Sequence, residues 1–427
     1  MASFQHKLTS ISLERFKGFE QVSAPLGGFT VMIGTNASGK SNIRDALMFL
    51  NGIGRGYTVP EILSEHYAAS GGLLWPGMRG GPRELVFGGL GSFSVGVGVS
   101  VGSGSGAGEY AYRIEVRVDD DMRPRLVRES LLNSAIDTCL YDSLEDSSRT
   151  DLYQVPDLRP VFASGVASGP DRTNRVRGLP ALGSMASGAR GFDAAVAEPA
   201  AAVMTALRSM RFLDPLPEAM RRPSIPGQTI LGDRGENLSS VLQEICADPD
   251  RHDTLVNWVR ELVPLDVTKF CFYLDRSGRV LLGLVDGHGR ETSAHSASDG
   301  ALRFLCMLAA LLGDDTGMLY FLEEPEAGTH PTRLDLLVGL VENRVRFAGV
   351  QVIATTHSPQ LLGYLSDESL VHALVAYQKD RESSQHLRRL YDFPDAEELI
   401  REQDIAELFA MGWFENMVAV SEEVTAE

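Results

Sequence analysis

The sequence predicts an α/β fold assembled around one phosphate-binding loop, with an antiparallel β subdomain and a helical lobe attached to a mixed core sheet. Three observations predict it. Gly34-Thr35-Asn36-Ala37-Ser38-Gly39-Lys40-Ser41 fits the pattern G-x-x-x-x-G-K-[ST] at every fixed position. Three short apolar runs, Phe29–Ile33, Met318–Leu322 and Val350–Ala354, have the length and composition of fully buried strands. Between them lie β-branched alternating segments, Phe93–Val101, Glu109–Val118 and Arg123–Leu132, separated by glycine or aspartate clusters as in an antiparallel meander.

The loop is the strongest of these signals because its context is right. An apolar strand precedes it, and Asn42–Leu50 follows with Ile43, Ala46, Leu47 and Leu50 at helical spacing. Strand, glycine loop and helix in that order put bound phosphates at a helix N-terminus. Small residues let successive backbone N–H groups curl around a β-phosphate, Lys40 reaches the β/γ oxygens, and the Ser41 hydroxyl serves Mg²⁺. Gly34, Asn36, Ser38, Gly39, Lys40, Ser41 and Asn42 are therefore the candidate nucleotide-binding residues, with a nucleoside triphosphate as the ligand.

Composition narrows the remaining choices. A chain of 427 residues with 44% hydrophobic residues has ample material for a large core. The formal charge of −18 argues against an all-over basic surface, so any DNA contact would be a local patch. The four cysteines, Cys139, Cys246, Cys271 and Cys306, show no C-x-x-C spacing and read as reduced core residues of a cytosolic protein. No secretory leader and no run of 18 apolar residues is present, so a cytoplasmic location without membrane contact is expected.

Along the chain, Leu8–Phe16 alternates as a half-solvated strand and turns at Lys17-Gly18-Phe19. Asn51-Gly-Ile-Gly-Arg-Gly56 is expected to stop the loop helix, followed by irregular chain with a short helix near Glu61–Tyr67. Gly102–Gly108 is a hairpin tip, and Asp119–Asp121 a hairpin turn. From Ala135 to Gly191 small and polar residues predict a flexible insertion, whose Arg172, Arg175, Arg177 and Arg190 form a basic stretch. Phe192–Phe212, Glu236–Cys246 and Asp253–Val263 read as helices, and Val267–Leu274 with Val280–Val285 as a hairpin around Arg276-Ser277-Gly278. The expected division is an N-terminal lobe over 1–134, the insertion over 135–191, a helical subdomain and hairpin over 192–290, and a C-terminal lobe over 291–427. In the tail, Glu397–Phe409 is amphipathic and leads into Met411-Gly412-Trp413-Phe414, a segment that packs on the core or docks a partner.

The C-terminal lobe holds the remaining motifs. Ser296-Ala-Ser298-Asp299-Gly300 opens a long apolar helix, Ala301–Leu312; Met318–Leu322 ends in Glu323-Glu324-Pro325-Glu326; Val350–Ala354 ends in Thr355-Thr356-His357-Ser358-Pro359. A carboxylate at the C-terminal end of a parallel strand beside a phosphate loop is where Mg²⁺ and an attacking water are held. These motifs, in this order, resemble the ATP-binding cassette, and the Glu-Glu-Pro-Glu and Thr-His-Ser-Pro forms resemble the ATPase heads of the SMC, RecF and OLD (overcoming lysogenization defect) group. The opening Arg15-Phe16-Lys17 is similar to that group's first strand, which runs near the nucleotide. The resemblance implies a P-loop NTPase fold of ATP-binding-cassette type that hydrolyses ATP with Mg²⁺. It implies Glu323 as the Mg²⁺-side acid beside Ser41, Glu324 as the residue that polarises water, and His357 as the γ-phosphate sensor. Ser298 and Gly300 take the signature roles, contacting the γ-phosphate of an opposite subunit, while Asp299 stands where transporters have a glycine. His330 and Pro331 continue a loop that crosses the dimer interface in that group. The glutamine of the loop between the lobes has no assignable counterpart.

No heptad array of SMC length is present, and about 70 residues follow His357, too few for a fused Toprim nuclease. The expectation is an ATPase head that forms a homodimer with ATP at the interface and controls a separately encoded effector, a nuclease or Toprim-like protein, in DNA-related work or anti-phage defence. The alternative is a RecF-like DNA-repair clamp acting on DNA directly.

Overall fold

The structure is a computed structural model. It describes residues 6–68, 71, 73–102, 106–145, 158–161, 180–187, 194–262, 267–313, 319–327, 331–379 and 383–413. Arg172, Arg175, Arg177, Arg190, His330 and Phe414 lie outside them.

The core sheet runs Met210–Leu213, Leu319–Glu323, Gln351–Thr356, Phe29–Ile33, Leu374–Gln378, Gln385–Arg389. The first five strands are parallel and the last antiparallel. Alternation along each strand sends residues to opposite faces. Phe29, Val31 and Ile33 join one hydrophobic cluster and Met32 the other; Tyr320 and Leu322 part from Leu319 and Phe321 in the same way. The sheet thus divides two cores, and both of its faces are covered, which is why its strands read as unbroken apolar runs. Helices Asp299–Leu312 and Leu334–Ala348 cover one face; the loop helix Lys40–Gly54 and the helix Ala194–Arg208 supply the other core.

Over that second core lies the antiparallel sheet, in the order Leu158–Val161, Thr138–Glu145, Pro124–Asn133, Gly108–Val118, Gly91–Val101, His6–Phe16, Phe19–Pro25. The loop helix is clamped between the two sheets, with Phe49 edge-on to Phe93 at 5.8 Å. A helix buried nearly all round, as this one is, follows from that placement.

Several elements differ from the sequence expectation. The loop helix does not stop at Asn51 but continues to Gly54. Gly52 and Gly54 serve close packing there: a Cβ on Gly54 would fall 2.5 Å from the Arg208 nitrogen, and one on Gly52 2.7 Å from Ile62. Asn51 is buried and donates to the Leu207 carbonyl at 2.8 Å, closing the end of the neighbouring helix. The short helix after it is Val59–Leu63, and His66–Tyr67 is a strand. The segment over 135–191 adds strands Thr138–Glu145 and Leu158–Val161 to the antiparallel sheet, with Tyr141 fully buried opposite Leu131. It also holds helix Ala181–Ala186, whose first N–H groups, Ala181 and Leu182, donate to the buried Glu129 carboxylate. The alanine-rich helix ends at Arg208, and Met210–Leu213 becomes the edge strand of the core sheet. The amphipathic tail is two helices, Ala396–Glu402 and Ile405–Ala410, broken at Gln403-Asp404. Phe409 and Trp413 pack against the core.

Candidate nucleotide site

The phosphate loop begins where the central strand ends, and strand register decides what faces it. Thr356 pairs with Ile33, so His357 emerges level with Gly34. Glu323 pairs with Thr355 on the next strand, so the acidic turn emerges one strand further out. A cleft of about 430 Å³ results, lined by Asn36 to Asn42, Asp214, Arg303, Glu323, Glu324, His357 and Gln385 among others.

The loop's small residues are required by contact. A Cβ on Gly34 would lie 2.2 Å from the Ala376 carbonyl oxygen and 2.6 Å from the Ser38 hydroxyl. Gly39 has φ of 106°, and Ala37 stands in the left-handed region at 64°. Lys40 is only 7% exposed. Its ammonium donates to the carbonyls of Gly34 and of Thr35, the latter at 2.9 Å, and faces His357 Nδ1 at 3.3 Å. Burial pulls the Lys40 pKa down to about 8, against the raising influence of Glu324 and Glu326.

His357 has a carboxylate on its other side: Nε2 lies 3.2 Å from Glu324 Oε1. An ammonium can only donate, so Nδ1 accepts from Lys40 and the proton rests on Nε2, directed at Glu324. The imidazole therefore bridges the loop lysine and the acidic turn. Glu324 itself has φ of 47°, and its N–H is held by the Thr355 carbonyl at 3.0 Å. Left-handed backbone at a non-glycine residue stores roughly 1 kcal/mol, and here it aims a carboxylate into the cleft. Glu323 meets Arg44 Nε at 3.7 Å. Behind them, Glu326 accepts from the Thr356 hydroxyl; burial raises its pKa, while its Oε2 has no hydrogen-bond partner among the described residues.

Phosphate and Mg²⁺ fit these residues. The Ser38 hydroxyl, a donor within the phosphate loop, is 2% exposed and has no hydrogen-bond partner among the described residues. Ser41 and Glu323 bring hard oxygens to one cleft, the donor type Mg²⁺ prefers. Among the described residues no group of three or more metal-ligating side chains converges, so phosphate and water would complete the shell.

Of the residues singled out by sequence, Asn36, Ser38, Gly39, Lys40, Ser41, Asn42, Glu323, Glu324 and His357 line this cleft, and Gly34 shapes the loop behind it. Ser298 and Gly300 do not line it. The Ser298 hydroxyl accepts from the Ala301 N–H at 3.2 Å and caps its own helix. Asp299 takes Arg221 Nη2 at 2.6 Å, and that guanidinium also holds the Ala297 carbonyl at 2.8 Å.

Arg15, Phe16 and Lys17 are not among the residues lining the cleft. Arg15 donates to the carbonyls of Phe87 and Leu90, Phe16 is fully buried, and Lys17 is paired with Asp45. Asp45, 1% exposed, also takes Arg79 Nη2 at 3.0 Å, and Arg79 donates onward to the Ser41 carbonyl at 2.8 Å. This cluster fixes the loop helix. Sequence reasoning missed it, along with Arg303, Glu326 and Gln385. Glu326 alone carried a signal, since it closes the same acidic turn.

Fold and site together define an α/β protein with a P-loop nucleotide-binding core. Residues 196–363 match the family model described as "AAA domain, putative AbiEii toxin, Type IV TA system", a segment that includes Glu323, Glu324 and His357. No curated protein matches the chain. Among solved structures it is similar to an SMC head bound to the C-winged helix domain of ScpA, at 13% identity over 89% of this chain and 97% of that one, with a TM-score of 0.48. It is similar also to an SMC head with an extended coiled coil bound to the C-terminal domain of ScpA derived from Pyrococcus furiosus (12% identity, 93% and 99% covered, TM-score 0.48). A third is the SMC head domain from Thermotoga maritima (11%, 90% and 98%, TM-score 0.40). Among the described residues no helix is long and apolar enough to cross a membrane.

Proposed function

We propose that this chain is an ATPase of the SMC/RecF/OLD kind whose ATP-dependent homodimerisation controls a separately encoded effector. The observation that carries the catalytic part is the convergence of Lys40, His357 and Glu324 in one contact chain beside the phosphate loop. The loop N–H groups and Lys40 bind the β- and γ-phosphates. Ser41 and Glu323 would hold Mg²⁺, which would supply charge neutralisation at the phosphates. Glu324 orients the attacking water and draws on its proton, and its fixed backbone keeps that carboxylate in place through turnover. His357, bonded on one side to Lys40 and on the other to Glu324, registers the γ-phosphate between them.

The homodimer reading is supported by the outward placement of Ser298 and Gly300, which leaves the γ-phosphate side of the cleft to be completed by a second copy. The effector and defence reading draws on the toxin–antitoxin wording of the matching family model. A nuclease or Toprim-like protein is the effector proposed, with DNA as a further contact and the cytoplasm as the setting.

Nucleotide titration of wild type and Lys40→Ala tests the assignment. Loss of one charged contact to phosphate costs about 1.5–3 kcal/mol, and more when desolvated, so the variant is expected to bind ATP at least about ten- to a hundredfold more weakly. Unchanged affinity would mean that the loop is not the site.

A further inference from the structure

Gln385 belongs to none of the motifs above, yet it touches the phosphate loop at two points. Its Nε2 donates to the Ala37 carbonyl at 2.7 Å, and its Oε1 accepts from Asn42 Nδ2 at 2.8 Å. The orientation is not arbitrary. A carbonyl can only accept, so the Ala37 oxygen fixes which end of the Gln385 amide faces it; the other end then fixes Asn42. Ala37 is the loop's left-handed non-glycine residue, at φ of 64°, and Asn42 lies in the first turn of the loop helix. One side chain thus holds a strained loop residue and the start of the helix behind it.

The same residue is fastened to the first turn of the chain. The Gln385 N–H donates to the Gly18 carbonyl at 2.7 Å, and a Cβ on Gly18 would fall 2.2 Å from Gln385 Oε1. A Cβ on Gly39 would fall 2.7 Å from the same atom. Gly18 is not in the left-handed region, so its need for glycine comes from the space taken by Gln385. Lys17, the next residue back, is tied to Asp45 of the loop helix. The Lys17-Gly18 turn therefore grips the phosphate-loop unit twice, through Asp45 and through Gln385.

We propose that Gln385 is a positioning residue of the nucleotide site, holding Ala37 and Asn42 in the phosphate-receiving arrangement, and that Gly18 is glycine to admit it. The proposal rests on the nucleotide reading of this cleft. It binds the loop's shape to the antiparallel edge strand Gln385–Arg389 and to the turn joining the first two strands, neither of which lies within the matched segment 196–363.

Steady-state ATP hydrolysis and titration with a fluorescent ATP analogue, on the full chain with Mg²⁺, test it. Losing two hydrogen bonds, Gln385→Ala is expected to raise KM and Kd for ATP about thirtyfold while leaving kcat near wild type. Gly18→Ala, which displaces the amide without removing it, should raise KM in the same way. The double variant should be no worse than the more severe single one, because both act through one contact. Gln385→Glu guards against a folding defect: it keeps the acceptor for Asn42, loses the donor to Ala37, and should again raise KM alone. An unchanged KM in Gln385→Ala, additive effects in the double variant, or a matched fall in kcat with lost thermal stability would overturn the proposal. In any of those cases a Lys40→Ala variant that still weakens ATP binding leaves the nucleotide reading standing. A wild type that binds no ATP removes that reading, and the positioning role with it.

Discussion

The phosphate loop and the signature turn are both polar turns at the start of apolar helices, yet the structure treats them in opposite ways. The loop draws partners from distant parts of the chain: Lys40 faces His357 across 317 residues, and Asn42 meets Gln385 across 343. The turn at Ser298 looks after itself. Its hydroxyl caps its own helix, Asp299 pairs with Arg221, and Ser298 and Asp299 are exposed. One turn is saturated with cis contacts; the other keeps an outward face. A second molecule could supply the outward turn to a chemistry that needs both, and that difference between the two turns is what the dimer proposal draws on.

The comparison breaks most visibly at Glu324. Replacing it by Gln keeps the shape of the turn and leaves Glu323 for Mg²⁺, so steady-state phosphate release should fall about 10²- to 10⁴-fold while ATP still binds. A wild-type rate would remove Glu324 from its role. A smaller effect comes from Lys40, whose pKa stands near 8. Phosphate favours the ammonium, so the bound pKa lies above the free one, and above pH 8 binding must take up a proton. ATP affinity should therefore be flat in this group below pH 8 and weaken above it by up to about tenfold per unit, until the bound pKa is reached. Calorimetric titration from pH 7 to 9.5 reads this directly, and Lys40→Arg should flatten the profile. The smallest effect sharpens the other half of the comparison. Ser298→Ala removes a helix cap worth about 1 kcal/mol of stability. Thermal unfolding should show that loss, monomer ATP binding should not change, and hydrolysis should fall because a partner's γ-phosphate loses its donor. A loss of ATP affinity in the monomer would place Ser298 in the cis site instead.

Much of the cleft was legible in the sequence because its parts stand at strand ends. A buried parallel strand is a recognisable run, and the residue after it must emerge on the carboxyl edge of the sheet, so Glu323, Glu324 and His357 followed from Leu319–Glu323 and Gln351–Thr356. Gln385 was not legible for the converse reason. Its strand, Gln385–Arg389, holds one buried apolar residue, Leu387, and no periodic signal, and its role depends on where the chain returns, beside Gly18 near the start of the sequence. Asp45 and Arg79 were hidden similarly, as an ion pair between a buried carboxylate and a largely exposed guanidinium depends on tertiary contact and has no spacing of its own. Glycines misled in one place: Gly52 and Gly54 read as a helix stop but serve close packing against Ile62 and the 194–208 helix. The strand Thr138–Glu145 was masked by its acidic neighbours, although Leu140 and Tyr141 hold it to the sheet.

If ATP joins two copies of this chain at the cleft, the nucleotide must change the particle's mass. Light scattering on Glu324→Gln, with and without ATP and Mg²⁺, tests it most directly. A monomer is expected without nucleotide and a persistent dimer with ATP, lost again when Ser298→Arg is added to block the outward turn. A monomer at every ATP concentration, in a variant shown by titration to bind ATP, would contradict it.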